Sequence, residues 1–93
     1  MSCELSDKQL AMLKYLVEHR CLRADHAKRL EAIERDFTGK EMDVRATLDS
    51  LLGVYIIKTP KQSKIHYYVK PNAALRALHT HGLWSPGRVH HIN

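Results

Sequence analysis

Residues 54–93 contain basic side chains but no aspartate or glutamate. The bases of this segment are Lys58, Lys61, Lys64, Lys70, Arg76 and Arg88. The rest of the chain nearly balances, with three bases against three acids in residues 1–22 and six against seven in residues 23–53. The formal net charge of +5 therefore resides in the last forty residues. A localised positive field attracts polyanions such as a nucleic-acid backbone; the alternative is a basic surface without a specific partner.

Three of these bases, Lys58, Lys61 and Lys64, cluster around a predicted loop that also contains Gln62 and Ser63. Lysines on a loop can contact phosphates, and the two neutral side chains can donate further hydrogen bonds. Three phosphate contacts would give a salt dependence with a slope of roughly three. The alternative is a sheet edge that lysines protect from pairing with other strands.

Four histidines near the end of the chain raise the question of metal binding. His79 and His81 are two residues apart, so on a helix they point in different directions. His90 and His91 follow in the last residues, and no cysteine or acid nearby completes a set of ligands. We predict no metal and no cofactor, and keep a metal or redox sensor as a third alternative.

The residues of an enzyme site are not recognisable in the sequence. It contains no glycine-rich phosphate loop, no pair of acids in an apolar setting and no nucleophile beside a plausible base. We therefore predict that the chain is not an enzyme, and that its function is binding.

Length and composition indicate one small globular domain. The chain has 93 residues, of which 44% are hydrophobic and 27% charged. Its longest apolar run, residues 51–57, is too short to span a bilayer, and Glu4 and Asp7 stand where a signal peptide is basic or apolar. Cys3 and Cys21 flank a predicted helix about 20 Å long, which favours free thiols in a reducing compartment. We expect a cytoplasmic protein without a membrane partner.

Capping and periodicity predict the first two helices. Ser6 and Gln9 form an S-x-x-Q capping box, so a helix is expected from there to about Arg20. An apolar residue at every third position then predicts a second helix from about Leu22 to about Arg35.

A second capping box, Thr38 and Glu41, predicts the start of a third helix that ends before Gly53. Its expected core-facing residues are Val44, Leu48, Leu51 and Leu52. Residues 54–59 and 65–69 are rich in β-branched and aromatic residues, which predicts a hairpin with a five-residue loop.

Within this hairpin, Ile57 and Tyr67 are expected to pack onto the first and third helices. Asn72 is then expected to cap a last short helix that ends at Gly82. Trp84 follows directly, and residues 85–93 are expected to form a flexible tail.

The order helix, helix, helix, hairpin, helix resembles a winged helix-turn-helix domain. Residues 22–30, LRADHAKRL, are similar to the second helix of that family, and residues 44–51, VRATLDSL, to its third helix. The glycine and apolar strand of residues 53–57 are similar to the approach to the hairpin, which is called the wing. The resemblance covers residues 6–82 and implies a mainly α fold with a small β-hairpin, an α+β winged helix-turn-helix domain over residues 1–84.

One departure from the family pattern concerns spacing. Ala27 precedes Val44 by seventeen residues, about seven more than the tightest helix-turn-helix spacing. Seven residues are close to two helical turns, so the second helix is expected to be longer than usual.

The resemblance implies that the third helix lies in the major groove of DNA while the wing contacts the backbone. Carried over to this chain, the DNA-binding residues are Lys40, Asp43, Arg45, Thr47 and Ser50 of the third helix and Lys58, Lys61, Gln62, Ser63 and Lys64 of the wing. The net charge of the third helix is about −1, which is poor for phosphate binding.

The leading interpretation is a sequence-specific protein for double-stranded DNA, a transcription regulator that acts as a homodimer. The expected dimer interface is Leu75, Leu78, Leu83 and Trp84. The main alternative is a winged-helix module for protein–protein contact within a larger assembly, which the near-neutral third helix favours.

Overall fold

The computed structural model describes residues 5–83, which form an α+β domain of four α-helices and a three-stranded antiparallel sheet. The elements are, in chain order, α1 (Asp7–Glu18), a 3-10 turn (Ala24–His26), β1 (Lys28–Arg29), α2 (Leu30–Asp36), α3 (Val44–Leu51), β2 (Ile56–Lys61), β3 (Lys64–Val69) and α4 (Pro71–Thr80). The expectations for Cys3, Trp84 and the tail of residues 85–93 lie outside the described residues.

Helix α1 begins as predicted. The Ser6 hydroxyl accepts a hydrogen bond from the Gln9 backbone N–H at 3.1 Å, and the Gln9 side chain accepts one from the Ser6 backbone N–H at 2.8 Å. This reciprocal pair satisfies two of the backbone donors that a helix start leaves open. Leu13 and Leu16 are fully buried, and α1 packs against α3, α4 and β3.

The prediction of one long second helix is wrong. The segment divides into the 3-10 turn, the short strand β1 and a seven-residue α2. In β1, Lys28 pairs with Tyr67 and Arg29 with His66 across β3. Backbone hydrogen bonding to the edge of the sheet has overridden a weak helical pattern, because alanine adds little buried area to an apolar stripe. Ala24, for example, is exposed.

The predicted start of the third helix is also wrong. The Thr38 hydroxyl donates to the Glu34 carbonyl at 3.1 Å, and so helps to finish α2 instead of capping α3. The N-cap of α3 is Asp43, whose carboxylate accepts from the Ala46 backbone N–H at 3.1 Å. The extra residues before Val44 therefore form a turn between α2 and α3, and do not lengthen α2.

The antiparallel hairpin is confirmed, and its turn is shorter than predicted. The pairing runs from Ile56 opposite Val69 to Lys61 opposite Lys64. Only Gln62 and Ser63 lie between the strands, with φ of 54° and 64°. Two central residues with positive φ are typical of a type I′ turn, whose twist continues that of the strands. Pro60 is tolerated because β2 is an edge strand in the order β1–β3–β2.

The hydrophobic core lies between the helices and one face of the sheet. Its largest fully buried side chains are Met12, Leu13, Leu16, Cys21, Ile33, Leu48, Leu51, Ile56, Val69 and Leu78. Tyr67 is buried as expected, but Ile56 takes the place predicted for Ile57, which is half-buried. The shorter turn shifts the pairing by one residue, so that Ile57 lies opposite Tyr68 and not Tyr67, and such a shift exchanges the two faces of a strand.

Helix α4 starts two residues earlier than predicted. Pro71 is its first residue, where the missing N–H costs no hydrogen bond, and the N-cap position is Lys70 instead of Asn72. The predicted end at Gly82, which has a φ of 74°, is confirmed.

No helix in residues 5–83 combines the length and apolar composition needed to cross a membrane.

A polar cluster joins the ends of α1 and α2 to β1. The Tyr15 hydroxyl donates to the Asp36 carboxylate, and the Lys28 ammonium lies 3.7 Å from the same carboxylate. Burial raises the pKa of Tyr15, whereas the hydrogen bond from Tyr15 lowers the pKa of Asp36. Both shifts favour the neutral phenol beside the ionised carboxylate.

Candidate nucleic-acid interface

The hairpin of β2 and β3, residues 56–69, is the segment that was predicted to be the wing and is called the wing below. It carries basic residues on both of its faces. Lys58 lies opposite Tyr67, on the side of the sheet that faces the helices. Lys61 and Lys64 are cross-strand neighbours at the tip and project from the other side, because successive pairs alternate between faces.

The three wing lysines differ in their partners. The Lys61 ammonium donates to the Asp25 backbone carbonyl at 3.1 Å, which ties the tip of the wing to the 3-10 turn. Lys58 and Lys64 are exposed, and within residues 5–83 neither takes part in a salt bridge. Gln62 and Ser63 are also exposed, at the turn itself. The wing thus offers two cations that form no salt bridge within residues 5–83 and a third that is already hydrogen-bonded.

Strand β1 adds a basic residue, Arg29, to the sheet. Its place there was not predicted from the sequence. Arg29 pairs with His66, so its side chain shares the face of Lys61 and Lys64. It is exposed, and its guanidinium lies 3.5 Å from the Glu31 carboxylate. Because this segment matched a helical pattern, the only indication of a basic strand in the sequence was the adjacent pair of basic residues, Lys28 and Arg29.

At the start of α3, two side chains that were expected to contact DNA have contacts within the domain. Asp43 caps the helix, so its carboxylate is occupied by the Ala46 backbone N–H. Lys40 lies in the turn before α3 and not within it, with its ammonium 5.7 Å from the centre of the Phe37 ring. Both side chains remain exposed near the N-terminus of α3.

Arg45 points outward, as the DNA-binding expectation requires, but it has a partner. Its Nε donates to the Glu34 carboxylate at 3.0 Å, and 67% of the Arg45 side chain is exposed. This hydrogen bond raises the pKa of Arg45. Contact with DNA would therefore require Arg45 to leave Glu34, or would bring the Glu34 carboxylate close to a phosphate.

Two residues of α3 that were expected to contact DNA are engaged by the domain itself: Thr47 is buried, whereas Ser50 is exposed but hydrogen-bonded. Thr47 is 8% exposed and completes the buried stripe with Val44, Leu48 and Leu51. The Ser50 hydroxyl donates to the Thr47 carbonyl at 2.7 Å and accepts from the Gln9 amide at 3.0 Å. The helical wheel also placed Leu52 in this stripe, but Leu52 is the C-cap residue and is half-buried. The expectation that Thr47 is solvent-facing is wrong.

The outward face of α3 consequently consists of Arg45, Ala46, Asp49 and the hydrogen-bonded Ser50. Asp49 lies near the buried Tyr67 hydroxyl, and burial together with the Asp49 charge raises the pKa of Tyr67. With Arg45 paired to Glu34, this face carries no positive charge free of a counter-charge within the described part of the chain.

The predicted dimer residues are in different environments. Leu78 is 1% exposed and belongs to the core of its own chain, so its assignment to an interface is wrong. Leu75 is half-buried, Leu83 is 40% exposed, and Trp84 lies outside the described residues.

Over residues 5–83, no three metal-ligating side chains lie close enough together to hold an ion. His79 and His81 are both exposed at the end of α4, and His90 and His91 lie outside that range.

The fold and the site together define a small α+β domain with a basic hairpin. No known protein family, curated protein or solved structure matches this chain. Its function must therefore be argued from the geometry.

Proposed function

We propose that the chain is a winged helix-turn-helix domain that binds double-stranded DNA, with the wing on the phosphate backbone. Three successive helices followed by a basic hairpin and a last helix support this assignment. A role as a cytoplasmic transcription regulator is part of the same proposal.

The observation that carries the proposal is the pair of exposed wing lysines that form no salt bridge within residues 5–83. Lys58 and Lys64 stand on a hairpin whose two-residue turn limits its flexibility, and residues 54–83 contain no acid that could neutralise them. A cation with no protein partner gains the most from a phosphate, because binding releases condensed counterions without breaking an existing ion pair.

Helix α3 is assigned a smaller part, the discrimination between base pairs. Arg45 can bind guanine bidentately once it leaves Glu34, and Asp49 can accept a hydrogen bond from a cytosine amino group. Neither contact depends on net positive charge, which the outward face of α3 lacks.

A homodimer would double the length of the DNA site, which a domain of this size needs for specificity. Among the described residues, Leu75 and Leu83 remain available for such an interface, since Leu78 is used by the core.

The test is the binding of a random duplex of about 30 base pairs, measured by fluorescence anisotropy from about 20 mM salt upward. We expect binding whose logarithmic salt slope is about two to three, from Lys58 and Lys64 with or without Lys61. A domain that leaves the duplex unbound at about 20 mM salt would contradict the proposal.

The second candidate function is protein–protein contact within a larger assembly. The observation that favours it is the outward face of α3, where Asp49 and the Arg45–Glu34 pair leave no excess of positive charge. Loss of the expected duplex binding would move the assignment to this function.

A further inference from the structure

A cleft separate from the proposed DNA interface lies between α4, the turn that follows α3 and the residue before Ser6. It has a volume of about 280 Å³, and its lining includes Val54, Tyr55, Ala73, Arg76, Ala77 and His81. This volume is close to the lower end of the range for ligand pockets in proteins, and it suits one or two side chains of a bound segment.

The floor of the cleft is apolar and preformed. Ala73 and Ala77 are one helical turn apart on α4, so their small side chains leave a groove on its surface. The opposite wall is Val54 and Tyr55. Hydrogen bonds of 3.0 Å to the Leu51 carbonyl and 2.8 Å from the Lys70 N–H hold the backbone of Tyr55 in place.

Val54 is the most exposed large hydrophobic side chain in residues 5–83, at 62%. It follows the α3 stop at Gly53 and lines the cleft instead of the core. An apolar side chain held outward by a fixed backbone favours the binding of another apolar group.

Within residues 5–83, the formally charged side chains at the cleft are cations. Arg76 is in its lining beside His81, and the Lys70 ammonium donates at 2.6 Å to the Gly53 carbonyl, next to Val54. Among these residues the lining contains no aspartate or glutamate. The complementary ligand therefore combines a bulky apolar group with a carboxylate, which a guanidinium can bind through two parallel hydrogen bonds.

We propose that this cleft binds a segment of a partner protein in which a bulky apolar side chain lies next to aspartate or glutamate. A second copy of the chain fits less well, because its own cleft would bring Arg76 and His81 against the same residues. DNA also fits less well, because a phosphate backbone could bind Arg76 but would bring no apolar group to the alanine floor and Val54. Leu75 lies on the other flank of α4, so the proposed dimer surface leaves the cleft open.

The experiment is selection from a random peptide library displayed on phage, with the whole chain as bait. We expect enriched peptides that carry an acid within a few residues of a leucine, tryptophan or phenylalanine. One enriched peptide, made synthetically, should bind at least about tenfold more weakly to Arg76→Glu. It should also bind more weakly to Ala77→Trp, which fills the groove. Arg35→Glu, an equal change of charge on exposed α2, should leave binding unchanged.

A separate selection on Arg76→Glu provides the sharpest control, since it should enrich basic residues beside the same apolar anchor. Circular dichroism checks that each variant is folded. Enrichment without an acid, or equal binding to Arg76→Glu and Arg35→Glu, would overturn the proposal. A chain that sediments as a dimer and becomes monomeric as Arg76→Glu would assign the cleft to a second copy instead. Displacement of the peptide by duplex DNA would assign the cleft to DNA. This result can be told apart from failure of the proposed function, in which the chain does not bind the duplex.

Discussion

The wing and helix α3 belong to the same proposed interface, but their charged side chains are in opposite states. Lys58 and Lys64 are exposed, without a salt bridge within residues 5–83. On α3, Arg45 is bound to Glu34 and its neighbour Asp49 is acidic. The difference indicates that affinity and discrimination come from different parts of the surface.

Phosphate contacts contribute affinity in proportion to the number of counterions released, whereas base contacts contribute through geometry. Lys58 and Lys64, which form no salt bridge within residues 5–83, can supply phosphate contacts. Arg45, which is paired with Glu34 and lies beside Asp49, can contribute only through base contacts. The following changes test this division between the wing and α3.

The largest expected effect is the loss of the two exposed wing lysines. In Lys58→Ala/Lys64→Ala, the dissociation constant for a random duplex should rise about 50-fold at about 0.1 M salt, and the salt slope should fall by about two. The matched control is Lys8→Ala/Lys14→Ala, which removes the same charge from α1. If both double variants lose affinity equally, net charge and not the wing is responsible.

A basic residue added to α3 tests whether that helix faces DNA. Ala46→Lys should tighten duplex binding about fivefold to tenfold at about 0.1 M salt, because one more phosphate contact becomes available. Ala46 and Ala11 are both exposed on helices, so Ala11→Lys on α1 is the control. Titration of the same labelled duplex measures both. An equal response would place α3 away from the DNA.

A smaller effect is expected from releasing Arg45. Glu34→Gln should tighten duplex binding about threefold, since an exposed ion pair contributes at most about 1 kcal/mol. Glu18→Gln disrupts a comparable surface pair with Lys14 and serves as the control. In an Arg45→Ala background the effect of Glu34→Gln should become smaller. A gain that is unchanged without Arg45 would mean that only the lost negative charge matters.

The smallest effect concerns the turn of the wing. Replacing Gln62 and Ser63 with asparagine and glycine, in that order, should raise the melting temperature by about 4 °C, because this pair accepts positive φ more readily. Calorimetry measures this change. Duplex affinity should change by less than about twofold if the lysines supply the phosphate contacts. A tenfold loss of affinity would show that the two side chains themselves bind DNA.

The sequence predicted those parts of the fold that short-range chemistry determines. The Ser6–Gln9 capping box, the glycine ends of α3 and α4 and the β-branched strands each depend on residues a few positions apart. Strand β1 could not be predicted in this way, because it exists only through hydrogen bonds to β3, nearly forty residues along the chain.

The candidate site was predicted less well than the fold, and mainly on α3. The expected capping box at Thr38 gave a helix that starts too early, which concealed the capping role of Asp43. Polarity suggested that Thr47 is outside, although its small hydroxyl-bearing side chain fits the buried stripe. The pairing of Arg45 with Glu34 depends on the angle between two helices and leaves no signal in the sequence.

The rate at which the Cys21 thiol reacts with a labelling reagent can measure how often the sheet opens locally. The thiol is 1% exposed, burial raises its pKa, and the Cys21 carbonyl accepts from the Val69 N–H at 2.9 Å. A thiol reagent can therefore react only in the fraction of time when the segment that follows α1 separates from β3. In a Cys3→Ser background, the labelling rate of Cys21 relative to an unprotected thiol reports how often the strand that carries half of the wing detaches. A duplex held by the wing should lengthen the interval between such openings.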